Sequence, residues 1–214
     1  MIVPIYIYFI VLSILASLTI ILYPPDRLYL KLFPFFLFAT FIIELISSYL
    51  SSYNKTNIQL YNFFGIFEIV FYFFLLSEVI KNRKIRKIVK GLIWIYPLIC
   101  MLNIFFVQVN SFHTMTYVLG CLLMVSICIY YFFELFHLSH SISLMHEPSF
   151  WICSGLLFFY CCSFPIFGLL NYVRGLPMYI IGNITGILNL MNVLLYSLLT
   201  IAFLCRIRIR KSML

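Results

Sequence analysis

Apolar runs of about twenty residues recur along this chain, and short polar gaps separate them. About 20 apolar residues in a helix cross the roughly 30 Å hydrocarbon layer of a bilayer, so each run predicts a membrane-spanning helix. Seven are expected, at about 4–23, 32–50, 58–80, 88–107, 114–136, 148–170 and 178–205. Pro34 opens the second at a first-turn position, where its missing N–H costs nothing. Pro97 predicts a kink in the fourth, and Pro165 with Gly168 loosens the end of the sixth. The expected fold class is an all-α membrane protein, a seven-helix bundle forming one domain over 1–214.

The gaps carry a second pattern. Arg27 and Lys31 fall in the first, and Lys81, Arg83, Lys84, Arg86, Lys87 and Lys90 in the third. Arg206, Arg208, Arg210 and Lys211 follow the last run. If every run crosses, these 12 of the 14 Lys and Arg share one side, with only Lys55 and Arg174 opposite. Positive residues stay cytoplasmic, which predicts an outside N-terminus and a cytoplasmic C-terminus. The first run is too long for a signal-peptide core, and no basic segment precedes it, so it is expected to be retained.

Composition supports the membrane reading. The chain is 64% hydrophobic and only 9% charged, with a mean hydropathy of +1.11. A soluble domain of 214 residues has too little interior for that much apolar surface. The net charge of +8 needs no nucleic acid, because basic residues beside spans attract anionic headgroups at about 1 kcal/mol each. The Lys81–Lys90 cluster is a candidate contact for lipid or for an acidic cytoplasmic protein. All seven cysteines lie within apolar runs and none forms a CxxC pair, so they read as core residues.

The sharpest chemistry is a pair of acids inside spans, Glu44 and Glu68. An ionised carboxylate at the bilayer centre costs about 3 kcal/mol on insertion scales. No span interior offers Lys or Arg, and His113 is the basic side chain nearest in depth. The acids are therefore expected to be protonated, bonded to Tyr, Ser or Asn, or neutralised by a bound cation. Polar residues recur around them at steps of 4, 3 and 4, which is one helical face. Thr40, Glu44, Ser47 and Ser51 do so in the second run, and Tyr61, Gly65, Glu68 and Tyr72 in the third. Thr185, Asn189, Asn192 and Tyr196 do so in the seventh. Polar stripes face protein or water rather than lipid, so the three are expected to converge. The candidate ligand- or proton-binding set is Glu44, Glu68, Thr40, Ser47, Tyr72, Asn189 and Asn192.

A weaker cluster holds Glu134, His137, His140, His146 and Glu147. Glu134-x-x-His137 has the i, i+3 spacing of metal-binding helices, and the three histidines form a weak zinc candidate. A polar interfacial loop explains the same residues. Gly182-x-x-x-Gly186 predicts a close helix contact. No Lys in the last run offers a retinal attachment point, and Ser154-Gly155 has no nearby histidine to act as its base. No phosphate loop, dinucleotide fingerprint or HExxH occurs, so neither a cofactor nor an enzyme activity is expected.

The stretches YNFFGIFEIVFY (61–72), PSFWICSGLLFFYCCSFP (148–165) and ILNLMNVLLYSLLTIAFLC (187–205) resemble a group of short bacterial seven-helix membrane proteins. Genes of that group often neighbour those of sensor histidine kinases. The resemblance implies a bacterial inner-membrane location and a sensory or regulatory role without a catalytic domain. The leading expectation is thus a receptor-like component that binds a small molecule or cation and acts through a cytoplasmic signalling partner. The alternatives are a small proton- or cation-coupled transporter and a membrane lipid hydrolase.

Overall fold

The computed structural model describes residues 4–22, 27–53, 55–109, 111–137, 147–169 and 178–212, without the side chains of 21–22, 178–181 and 206–212. Among the described residues every regular element is a helix. The helices are α1 (Tyr6–Ser17), α2 (Thr19–Leu22), α3 (Leu28–Ser52), α4 (Ile58–Val79), α5 (Arg83–Leu102), α6 (Thr114–His137), α7 (Pro148–Leu169) and α8 (Met178–Ser212). A single π turn, Asn103–Val107, extends α5. Six segments are long and apolar enough to cross a bilayer, and α1 is a shorter apolar helix. The chain is a multi-pass, all-α membrane protein in contact with lipid.

Packing closes six helices into a ring. In order around it, α1 meets α3, α3 meets α4, α4 meets α6, α6 meets α7, α7 meets α8 and α8 returns to α1. α5 lies outside the ring against α4 and α6, and it buries only Val89, Tyr96 and Cys100. Its outer face presents Trp94, Ile95 and Leu98. Exposed Phe106 on the π turn, Phe35 and Phe38 on α3 and Ile129 on α6 continue this apolar belt. A patch of that extent needs lipid to cover it. The interior holds the hydroxyl and amide groups. Ser13 of α1 donates to the Tyr196 carbonyl of α8 at 2.7 Å and pairs with Thr200 at 2.9 Å.

Four expected boundaries move. The first run, expected at 4–23, divides into α1 and α2 at Leu18, with Tyr23 outside the described residues. Ser17 donates to the Ile14 carbonyl and Thr19 to that of Ala16, so side chains compete there with the backbone ladder. α3 starts at Leu28, which leaves Pro34 inside the helix and not in its first turn. A membrane helix tolerates this where its neighbours re-satisfy the freed backbone. α5 starts at Arg83, so most of the expected basic loop is helical. The α8 backbone likewise stays helical to Ser212, past the expected end at 205. Hydropathy does not register a helix whose first turns are basic. Around Pro97 the α-helix continues, and the change of hydrogen-bond pattern comes at the π turn.

The α4–α5 corner explains how a helix can begin with so many cations. The Asn82 side chain accepts from the Lys84 N–H at 2.9 Å, an N-cap bond. Glu134 of α6 accepts from the backbone N–H groups of Lys81 and Asn82 at 2.8 and 2.7 Å, one per carboxylate oxygen. Its negative charge sits where the α5 dipole is positive. Arg86 donates twice to the Ile80 carbonyl, at 2.9 and 2.6 Å.

Candidate functional site

The site lies at the other end of α4. Two adjoining cavities open among the start of α1, the end of α3 and the starts of α4 and α8. The mouth cavity, about 430 Å³, is lined by Ser47, Ser48, Ser51, Ser52, Asn57 and their neighbours. The deeper one, about 370 Å³, reaches Glu68 and has Asn189, Asn192 and Tyr196 on its α8 side. Tyr6, Glu44, Tyr61, Thr185 and Asn189 line both.

Glu44 and Glu68 line the same deep cavity but meet different company. Glu44 Oε2 accepts from the hydroxyls of Tyr6 (2.7 Å) and Tyr61 (3.1 Å). Tyr61 is in turn the acceptor for Ser47 (2.8 Å), and Ser47 for the Asn57 amide (2.7 Å). Each donor in this series points toward Glu44, so the bonds polarise one another. Glu68 sits on α4 two turns below Tyr61, half-buried and facing the cavity. Among the described residues it has no hydrogen-bond or ion-pair partner. Among the described residues no Lys, Arg or His lines either cavity.

Aromatic rings form the remaining wall. Phe112, Tyr117 of α6 and Phe167 of α7 make a mutual cluster, with ring centroids 5.4 Å (Phe112–Tyr117), 5.5 Å (Phe112–Phe167) and 4.6 Å (Tyr117–Phe167) apart. Phe64 and Phe159 add to it. Behind this wall α6 packs closely against α4 and α5. A Cβ on Gly120 of α6 would lie 2.5 Å from the Tyr96 hydroxyl and 2.6 Å from Ile69 Cδ1.

Of the expected site residues, Glu44, Glu68, Asn189 and Asn192 line the deep cavity, and Ser47 lines the mouth. Thr40 does not reach either. It is buried and donates to the Phe36 carbonyl one turn back, the local bond that a helical threonine makes most readily. Tyr72 is also outside the lining, fully buried with a hydroxyl unpartnered among the described residues. Its ring meets Tyr160 edge-on at 6.2 Å, and the Tyr160 hydroxyl is unpartnered as well.

His113 is not the counter-charge to the acids. It is buried behind Gly65, and its Nδ1 pairs with Thr116 at 3.0 Å. Burial pushes its pKa down to about 4, so it is neutral at pH 7. Asn62 anchors this loop by accepting from the His113 N–H and donating to the Ser111 carbonyl, both at 3.1 Å.

The metal candidate lies only partly within the described residues. His140 and His146 lie outside the described residues. Both oxygens of Glu134 are taken by the α4–α5 corner, and His137 bonds the Phe133 carbonyl of its own helix. Among the described residues no three His, Cys, Asp or Glu side chains gather as metal ligands would. Gly182 and Gly186 are exposed with nothing within 4 Å of a Cβ, so the expected close contact is absent there among the described residues. Within the basic cluster, Lys90 pairs with Glu78 at 3.3 Å and Arg86 caps α4, while Lys81, Arg83, Lys84 and Lys87 are exposed. All seven cysteines are free thiols.

Tyr6 is the main site residue that the sequence reading passed over. A signal was present, because Tyr6, Ile10, Ser13 and Ser17 recur at steps of 4, 3 and 4 along α1. No protein-family model matches the chain, and no curated protein or solved structure matches it either.

Proposed function

We propose that this protein is a receptor-like or regulatory component of a bacterial inner membrane, which binds a small molecule in the deep cavity and acts through a separate cytoplasmic partner. The observation that carries the reading is the contrast between the two acids. Glu44 is satisfied by two tyrosines, whereas Glu68 faces a 370 Å³ cavity without a partner among the described residues. A group so placed costs stability unless something enters to use it. A cavity of this size with a few convergent polar groups falls in the ordinary range of small-molecule sites.

Orientation follows from charge. In this reading the chain crosses seven times, with α1 and α2 as the first crossing, the N-terminus outside and the C-terminus in the cytoplasm. The basic residues at the start of α5 then lie on the cytoplasmic side, and the cavities open at the opposite end of α4. Ligand arrives from outside. The exposed cations at the start of α5 meet anionic lipid and the acidic face of a signalling protein. Both cavities sit toward the same end of the bundle, which favours recognition over transport.

The test uses the full chain in nanodiscs. Fractions of small molecules from growth medium and cell extract are screened for a rise in its unfolding temperature. A fraction that stabilises the wild type but not Asn192→Leu or Glu68→Gln supports the reading. If no fraction stabilises the wild type, the reading is wrong. Cysteine labelling from either side at position 55 and position 84 checks the orientation, with 55 expected outside and 84 inside.

A further inference from the structure

We infer that the ligand of the deep cavity is a small organic ammonium ion, with its charged head on Glu68 and its apolar body against Phe112, Tyr117 and Phe167. This rests on the recognition reading above and names the chemistry of that same site.

Charge decides the first step. An anionic ligand would meet two carboxyl groups and, among the described residues, no lining cation. A neutral ligand would leave an ionised Glu68 without a counter-charge, because among the described residues no Lys or Arg lines either cavity and His113 is turned away behind Gly65. A cation supplies the charge that the described lining lacks.

The kind of cation follows from the walls. A hard metal ion such as calcium takes about six to eight oxygen ligands. Here Glu44 Oε2 is already bonded to two tyrosines. The Asn192 amide nitrogen is spent on the Leu188 carbonyl at 3.1 Å, which leaves its carbonyl oxygen. Those few oxygens suit the N–H groups of one ammonium head better than a full metal shell. The rest of the lining is largely aromatic, and ring faces attract ammonium groups while accommodating a hydrocarbon body. The 370 Å³ of space corresponds to about twelve water volumes, so a ligand of roughly ten heavy atoms fits.

The experiment compares three probes of one shape: 2-phenylethylammonium, the neutral 2-phenylethanol and the anionic phenylacetate. Each is titrated calorimetrically into the full chain in nanodiscs. The ammonium is expected to bind at least tenfold more tightly than the alcohol, and phenylacetate not at all. Glu68→Gln should weaken the ammonium by at least about thirtyfold, the lower range for losing one partner of a buried charge pair, and leave the alcohol unchanged. Equal binding of ammonium and alcohol overturns the inference, as does a folded Glu68→Gln protein that keeps its ammonium affinity. Should Glu68→Gln not fold, Phe167→Leu carries the test. It should weaken the ammonium more than the alcohol, and equal losses overturn the inference. Failure of all three probes also overturns it, while the extract screen judges separately whether the cavity recognises any ligand.

Discussion

Replacing Gly120 by alanine tests the close approach of α6 to α4 and α5. In an open helix position the change stabilises by roughly 0.5–1 kcal/mol, because alanine loses less backbone entropy. At Gly120 the new methyl would stand 2.5 Å from the Tyr96 hydroxyl, 2.6 Å from Ile69 Cδ1 and 3.0 Å from Tyr96 Cζ. Tyr96 is 1% exposed and Ile69 0%, so neither side chain has free space to retreat into. Tyr96 also donates to the Thr116 carbonyl at 3.2 Å, a bond that a displaced ring would forfeit. Overpacking costs about 1–3 kcal/mol and an orphaned buried hydroxyl about 1–3 kcal/mol more. The steric terms win, and Gly120→Ala should destabilise by about 2 kcal/mol net. For a chain of this size that is about 4–8 °C in unfolding temperature. Gly91→Ala is the matched control, because nothing lies within 4 Å of a Cβ there, and it should raise the temperature by a few degrees. Tyr96→Phe in the Gly120→Ala background removes the closest atom and should recover part of the loss, a coupling measurable in a double-mutant cycle. The assay is thermal unfolding in nanodiscs, followed by tryptophan fluorescence. Gly120→Ala behaving like Gly91→Ala would refute the packing argument.

Three further outcomes are expected. Tyr6→Phe and Tyr61→Phe each remove one donor from Glu44 and should each cost about 1–2 kcal/mol in the same assay, with the double variant departing from additivity because the donors share one oxygen. Glu134→Ala removes the acceptor for two backbone N–H groups and should cost about 1–3 kcal/mol and speed hydrogen exchange at Lys81 and Asn82; unchanged exchange would count against the corner described. His113 has an ordinary value of 6.5 when unfolded and about 4 when folded, so the unfolded chain binds the extra proton between those limits. Its contribution is therefore complete above pH 6.5 and falls toward pH 4 by up to about 3 kcal/mol, a slope that His113→Gln should reduce.

Much of this arrangement was legible in the sequence, because helical spacing and the cost of burying polar groups act together. The 4, 3, 4 stripes on α3, α4 and α8 identified Glu44, Glu68, Asn189 and Asn192, and the cavity gathers all four. Thr40 followed the same spacing and misled, since periodicity cannot tell a hydroxyl aimed at a site from one bonded to its own helix. The start of α5 escaped a hydropathy reading because its helix is fixed by Asn82 and by Glu134, a residue 52 positions later. The aromatic wall was invisible for another reason. Phe64, Phe112, Phe159 and Phe167 are four of 24 phenylalanines, and only tertiary packing separates those facing the cavity from those facing lipid.

The series from Asn57 through Ser47 and Tyr61 to Glu44 runs in one direction only. Proton conduction along hydroxyls needs every member to accept on one side and release on the other. An amide nitrogen can do neither, so a proton that reaches Glu44 finds a dead end at Asn57. The series is a brace for one carboxylate rather than a wire.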